Sequence, residues 1–263
     1  MYQSLQALNP DTLKGKHYRP YSNFLFAEKD MAVEIVYKEL PDALATMPLG
    51  FMRPTPNGPL KLMALLSVLP DKNTYVNPEG KWVGDYVPAV LRGYPMAAVP
   101  HPQEPDRSVM CIDEPALCDA GEGAQPLFDE EGNPGSALAK VLEFWQMIAE
   151  ERKTTQAACR VLDAAGLIVP WDITVQGDAG AAPLNGFYRI DEARLNALEP
   201  AMLASLRPSG ALTIAYAHLF SRKRVQFLQK ATSQHAAYMA KRKELDLQLD
   251  GLFGNDDDIG FGF

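Results

Sequence analysis

The segment NPEGKWVGDYVPAVLRGYP, Asn77 to Pro95, packs three aromatic rings, three prolines and one arginine into nineteen residues. Pro88 and Pro95 each lack a backbone donor and hold φ at about −65°, so the segment cannot run as a continuous central strand. It must turn, or lie at the edge of a sheet. Gly80 can take the positive φ that a tight turn requires, which makes Asn77–Gly80 the turn between two short extended runs. Trp82, Tyr86 and Tyr94 can each bury about 150 Å² or more while keeping an N–H or O–H for a partner. The segment therefore reads as a rigid corner clamped by aromatic rings.

The sequence before the corner has a period of two. In MAVEIVY, Met31, Val33, Ile35 and Tyr37 alternate onto one face, and the β-branched residues suit a half-buried pleated surface. RSVMCIDE (Arg107 to Glu114) is a further strand. PDALATMPLGFM begins as a helical turn and ends as a strand, whereas LKLMALLSVLP fits either a buried strand or a short helix.

From Pro134 the period lengthens to about 3.6. Ser136 is placed to cap a helix carrying Leu138, Val141, Leu142, Trp145 and Ile148 on one face. Thr154 or Thr155 is read as opening a second helix that stops at Gly166. LIVPWDITV and GFYRI return to strand, Asp191 caps EARLNAL, and Ser209 caps a long C-terminal helix from about Ala211 into the 240s. The fold class expected is α+β, a β-rich N-terminal half packed with a helix-rich C-terminal half. A single domain over residues 1–250 and an acidic flexible tail over 251–263 are expected.

Charge is divided along the chain. Residues 1–199 hold 17 basic against 27 acidic residues, residues 200–243 hold eight basic and no acidic residue, and residues 244–263 hold six acids and no base. The eight cations are Arg207, Arg222, Lys223, Arg224, Lys230, Lys241, Arg242 and Lys243, and they suggest contact with phosphates. An overall pI near 5.1 argues against a dedicated nucleic-acid module. The longest apolar run, Leu62 to Leu69, is far short of the roughly 20 residues a spanning helix needs, and the N-terminus has no apolar signal core, so no membrane span is expected. Three cysteines, Cys111, Cys118 and Cys159, with no C-x-x-C pair, read as reduced thiols and point to the cytoplasm.

No phosphate-binding glycine loop, nucleophile elbow or metal-ligand spacing occurs, so neither a metal nor a cofactor is expected and no catalytic residue is assigned. Glu34 with Glu39, and Asp113 with Glu114, read as solvated carboxylates rather than an acid/base couple. The ligand-binding candidates are Trp82, Tyr86, Arg92, Tyr94, His17, Glu192 and His218. Arg92 fits an ion pair, a cover over an aromatic ring, or an anion contact. His17 follows two lysines in a loop, Glu192 suits the first turn of a helix, and His218, one turn before Ser221, suits a buried, hydrogen-bonded position.

Six blocks carry a family resemblance: ELPDALATMPLGF, NTYVNPEGKWVGDYVPAVLRGYP, VMCIDE, QPLFDEEGNPG, LNGFYRIDEARLNAL and IAYAHLFS. In this order, up to about residue 228, the chain resembles the SapC family of bacterial proteins, associated by name with surface layers. Where that family usually has Arg-Tyr-Pro-Phe or Arg-Arg-Tyr-Pro-Phe, this chain has Arg92-Gly93-Tyr94-Pro95-Met96. The resemblance implies a soluble binding or assembly protein, associated with a surface layer or a virion or envelope, with no defined reaction. One alternative is an enzyme acting on a surface polymer or a protein side chain. The other is a nucleic-acid-associated protein using the basic segment.

Another protein is the expected partner, met by the aromatic corner or by the tail. Asp256, Asp257 and Asp258 precede Ile259, Phe261 and Phe263, and this pattern resembles the acidic, aromatic tails by which single-stranded-DNA-binding proteins dock their partners.

Overall fold

The computed structural model of the chain describes residues 1–55, 58–101, 103–104, 107–177 and 180–231. Among them the strands are, in chain order, β1 (Leu5–Ala7), β2 (His17–Tyr18), β3 (Ala32–Glu34), β4 (Leu49–Met52), β5 (Lys61–Leu65), β6 (Met96–Pro100), β7 (Ser108–Asp113), β8 (Leu117–Cys118), β9 (Gln125–Pro126), β10 (Ile168–Pro170), β11 (Ile173–Gly177), β12 (Gly180–Leu184) and β13 (Phe187–Ile190). The α-helices are α1 (Leu40–Thr46), α2 (Ala89–Arg92), α3 (Ser136–Ala164), α4 (Glu192–Asn196), α5 (Pro200–Ser205) and α6 (Ala211–Ser221). The class is α+β, with strands concentrated in the first half and helices in the second.

The central sheet has the order β10-β13-β4-β5-β3, and the pairs are antiparallel. LKLMALLSVLP thus resolves as strand at Lys61–Leu65, buried between β4 and β3. A second sheet has the order β1-β7-β6, so the strand following the Pro88–Pro95 corner does lie at an edge. Small sheets of β8-β2-β9 and β11-β12 complete the strand content. Phe51 and Phe187, from the adjacent strands β4 and β13, are fully buried, and each such side chain contributes roughly 1.5–3 kcal/mol by leaving water.

One hydrophobic cluster joins Leu13, Ile35, Leu40, Leu91 and Met96 of the first half to Trp145, Leu162, Ile190 and Ile214 of the second. A smaller cluster gathers Leu65, Trp171, Phe187 and Val225 on the far side of the central sheet.

The helices differ from expectation at both expected serine caps: Ser136 is the first residue of α3 with Gly135 before it, and Gly210 stands between Ser209 and α6, neither glycine offering a side-chain cap. They differ in two further places. Thr154 and Thr155 do not start a helix, because α3 runs unbroken over 29 residues, about 43 Å at the usual rise. The Thr155 hydroxyl donates to the Glu151 carbonyl one turn back and accepts from the Tyr37 N–H, so it works inside the helix instead of capping one. The C-terminal helix is also divided. α6 ends at Ser221, Arg222 and Lys223 form a turn, and helix resumes over 224–231. The remainder of that expected helix, with Lys241, Arg242 and Lys243, and the tail with Asp256, Asp257, Asp258, Ile259, Phe261 and Phe263 lie outside the described residues.

Candidate functional site: an arginine-aromatic face

The corner is built as its residues require. Gly80 adopts φ +76°, and Val76 bridges Trp82 across the turn. Asn77 closes the turn by accepting the Lys81 N–H on its side chain. Pro88 then stands at the N-cap of α2, the short helix that carries Arg92.

Beneath the corner sits Glu39, only 5% exposed. Its Oε1 accepts from the Tyr86 hydroxyl at 2.8 Å and the Ala89 N–H at 2.7 Å, and its Oε2 accepts from the Val36 N–H at 2.8 Å. The Trp82 indole N–H donates to the Tyr86 carbonyl, so the Trp82 ring is held by the Tyr86 backbone and the Tyr86 ring by a buried anion. Asp113 acts in the same way on the other flank. It is fully buried, accepts from the Tyr94 hydroxyl at 2.9 Å, and accepts from the Gln3 and Ser4 N–H groups. Glu39 and Asp113 are therefore buried anchors and not the solvated carboxylates expected from the sequence. A carboxylate surrounded by two or three converging donors is stabilised where an unpaired one would be costly.

Tyr94 opens a connected set of rings. It stacks on Phe26 with centroids 3.9 Å apart and meets Tyr2 at 5.9 Å and Tyr21 at 6.2 Å. Tyr21 contacts Phe24, Phe24 contacts Trp82, and Trp82 stacks on Tyr75 at 5.3 Å. Most of these rings are half-buried, so they present edges and faces to the surface. Burial and then the hydrogen bond and charge of Asp113 push the Tyr94 hydroxyl up to about 12. Burial and then the charge of Glu39 raise that of Tyr86, against the opposing charge of Arg92. Both hydroxyls stay protonated and act as donors across the physiological range.

Arg92 lies exposed at the rim of this set. Its guanidinium carbon is 5.7 Å from the centroid of the Tyr86 ring and 5.8 Å from that of Phe144, so it is held between two π faces. Its single side-chain hydrogen bond among the described residues goes to the Tyr86 hydroxyl at 3.3 Å, and it has no ion pair there. An oriented guanidinium with most of its five donors unused can grip a carboxylate or phosphate in two-point fashion.

The other candidates stand apart. His17 lies on β2, with Nδ1 3.2 Å from the Gly15 carbonyl. Glu192 opens α4, where Asp191 caps the helix, and pairs with Arg222 at 3.2 Å on the surface. His218 is fully buried on α6 against Phe51 and Trp171. Its Nδ1–H donates to the Leu49 carbonyl at 2.8 Å, while the Leu49 N–H donates to Ser221 Oγ, so α6 clasps β4 through one residue. No hydrogen bond, ion pair or ring contact joins any two of His17, Arg92, Glu192 and His218.

A cavity of about 300 Å³ adjoins this ring set at Tyr2, lined in part also by Asp30, Glu34, Val90, Trp145 and Arg152, and by none of the seven sequence candidates. The sequence reading also passed over Tyr21, Phe24, Phe26 and Phe144 of the face itself, and misread Glu39 as solvated. Tyr21, Phe24 and Phe26 sit close together in YSNFLF and could have been found as an aromatic cluster. Of the donors to Glu39 only the Val36 N–H is local, while the Tyr86 hydroxyl and the Ala89 N–H that tie it to the face are 47 and 50 positions away.

Among the described residues no group of three or more His, Cys, Asp or Glu side chains is arranged to hold a metal ion, and no helix is long and apolar enough to cross a membrane. The class defined is thus an α+β protein whose most elaborated surface is an arginine held between aromatic rings. The chain belongs to the SapC family, whose model matches residues 8–228. No curated protein and no solved structure matches it. Gly93, beside Arg92, packs against the Trp145 indole, and a Cβ there would lie 2.5 Å from a ring carbon.

Proposed function

We propose that this SapC-family chain is a binding or assembly protein that recognises another protein through the face formed by Arg92, Tyr86, Trp82, Tyr94 and Phe144. It acts in association with a surface layer or an envelope. The observation that carries the reading is Arg92 itself: exposed, fixed between two rings, and without an ion pair among the described residues. The matching partner feature is a carboxylate flanked by apolar side chains, since the carboxylate meets the guanidinium fork while the apolar groups cover the rings. Three free cysteines, two of them buried, support synthesis and folding in the cytoplasm, ahead of any association with the surface layer or envelope. The tail, with Asp256, Asp257, Asp258, Ile259, Phe261 and Phe263, supplies a second contact to a protein with a basic, apolar groove.

This reading is preferred to the alternatives on specific grounds. An enzyme needs groups within reach of one substrate, and among the described residues no hydrogen bond, ion pair or ring contact joins any two of His17, Arg92, Glu192 and His218. A phosphate-tracking segment needs free cations, yet Arg222 is paired with Glu192 and Arg224 donates to the Leu44 carbonyl.

The test places a photo-crosslinking amino acid at Val83, which is 61% exposed beside Trp82, and a control at Met202 on α5, which is 49% exposed. In producing cells, Val83 cross-links to a discrete protein and Met202 does not, and Arg92→Ala abolishes the adduct. Equal labelling from both positions, or an adduct indifferent to Arg92→Ala, overturns the proposal.

A further inference from the structure

The cavity lined by Tyr2, Asp30, Glu34, Val90, Trp145 and Arg152 lies between two sheet edges. β3 is the terminal strand of the central sheet, β6 is the terminal strand of the second sheet, and the cavity is lined by residues of both. α3 also contributes to the lining, with Trp145 and Arg152 two turns apart, about 10 Å along the helix.

The register shows which backbone groups face outward. Ile35 donates to the Leu62 carbonyl and Leu66 to the Met31 carbonyl, so in β3 the odd-numbered residues bond to β5. In an antiparallel pair the alternate residues then turn their N–H and C=O away, and in β3 these are Ala32 and Glu34. In β6, Asp113 donates to the Pro95 carbonyl and His101 to that of Arg107, which turns Ala98 outward by the same parity. Among the described residues no hydrogen bond takes up the outward N–H or C=O of Ala32, Glu34 or Ala98. Unpaired donors and acceptors on an edge are a template for another strand.

Two further observations define what would fill the cleft. Asp30 accepts from the Met1 amino group with one oxygen at 2.9 Å, while its second oxygen is buried without a partner, an acceptor lacking a donor. Glu34 is neutralised by Lys61 at 3.1 Å and Arg152 at 3.0 Å. Each acid of the lining is therefore already balanced, and a charged occupant would lose its hydration without finding a counter-charge. The rest of the lining is apolar and small, including Val33, Val90, Ala97 and Val99.

We infer that this cleft binds an extended, uncharged segment of a partner polypeptide, which adds as a strand to the open edge of β6 or β3 and places small apolar side chains over Trp145. This is strand addition, in which main-chain hydrogen bonds hold the peptide and the alternating side chains select it. It is a second site that adjoins the Arg92 face through Tyr2 and α2 but does not include Arg92, and the inference does not rest on that proposal. The acidic tail does not meet the requirement, since Asp256, Asp257 and Asp258 would enter a cleft with no free cation.

The probe is a displayed library of random octapeptides selected against the full chain, followed by synthesis of the enriched sequences. The expected result is enrichment of uncharged peptides rich in β-branched residues. Their binding protects the Ala98, Ala32 or Glu34 amides from hydrogen exchange and falls at least about tenfold when alternate peptide amides are N-methylated. Ala98→Pro, which removes an N–H that bonds nothing in β7, lowers affinity to the same extent, and Arg92→Ala does not. Ala98→Glu, which keeps the backbone donor but brings an unpaired charge, gives a second loss should the proline variant fold poorly. No enrichment, a charged consensus, or binding that survives N-methylation overturns the inference.

Discussion

Glu39 Oε1 is 2.8 Å from the Tyr86 hydroxyl and 2.7 Å from the Ala89 N–H, so one buried carboxylate fixes both a ring of the exposed face and the start of the helix that carries Arg92. The exposed face in this protein therefore rests on an interior anion. Glu39→Ala strips three donors of their acceptor, and buried donors left unsatisfied cost about 1–3 kcal/mol. Urea unfolding is expected to show an unfolding free energy lower by at least that amount, and Tyr86→Phe, which removes one of the three donors, is expected to cost less.

His218 makes stability depend on pH. Burial holds its imidazole down to about 4, and the charges of Arg222 and Arg189 act in the same direction against the opposing hydrogen bond to Leu49. An unfolded histidine titrates near 6.5, so between those values the unfolded chain binds the extra proton. The stabilising effect is fully present above about pH 6.5 and is lost as pH falls toward 4, with a total of roughly 3 kcal/mol. Denaturant unfolding at pH 7, 5.5 and 4.5 should show this slope, and His218→Gln should flatten it.

Gly93 is required for space rather than for backbone conformation. Its φ is −80°, available to any residue, but a methyl group would meet the Trp145 ring at 2.5 Å. Gly93→Ala is expected to displace that indole and to cost about 1–3 kcal/mol, as overpacking in a filled core does. Tryptophan fluorescence of the folded variant should shift along with the unfolding midpoint.

Much of the architecture could be read in the chain because its signals are local. The Gly80 turn, Asp191 as a cap and Gly166 ending α3 each depend on neighbours a few residues away, and the structure has all three, whereas the strand read in MAVEIVY is present only at Ala32–Glu34 and Tyr37 opens a short 3-10 helix instead. The continuity of α3 through Thr155 was hidden because the hydroxyl is occupied by Tyr37, 118 positions distant. The same limit applies to the face. Trp82, Tyr86 and Tyr94 could be picked out by composition, whereas Glu39, Asp113, Phe26 and Phe144 join them only through contacts made in the fold. His218 read correctly as a buried, hydrogen-bonded histidine, though nothing in its surroundings along the chain names Leu49 as the acceptor.

Glu192 separates a surface ion pair from a ligand contact. Its carboxylate meets Arg222 with side-chain exposures of 52% and 40%, and exposed pairs of this kind contribute about 1 kcal/mol or less. Glu192→Gln is expected to leave the unfolding midpoint nearly unchanged and to leave the Val83 cross-link intact. Loss of the adduct would place Glu192 in the interface.

The most direct test is the affinity of the chain for the protein trapped from Val83, measured for the wild type, Arg92→Lys and Arg92→Ala at low and moderate salt. Arg92→Ala is expected to weaken binding by at least about tenfold, or 1.4 kcal/mol, and to reduce its salt dependence. Arg92→Lys should recover only part of that loss, because an ammonium lacks the planar fork held between Tyr86 and Phe144. Equal affinity of all three proteins, with each folded to the same extent, would contradict the assignment of this face as the binding site.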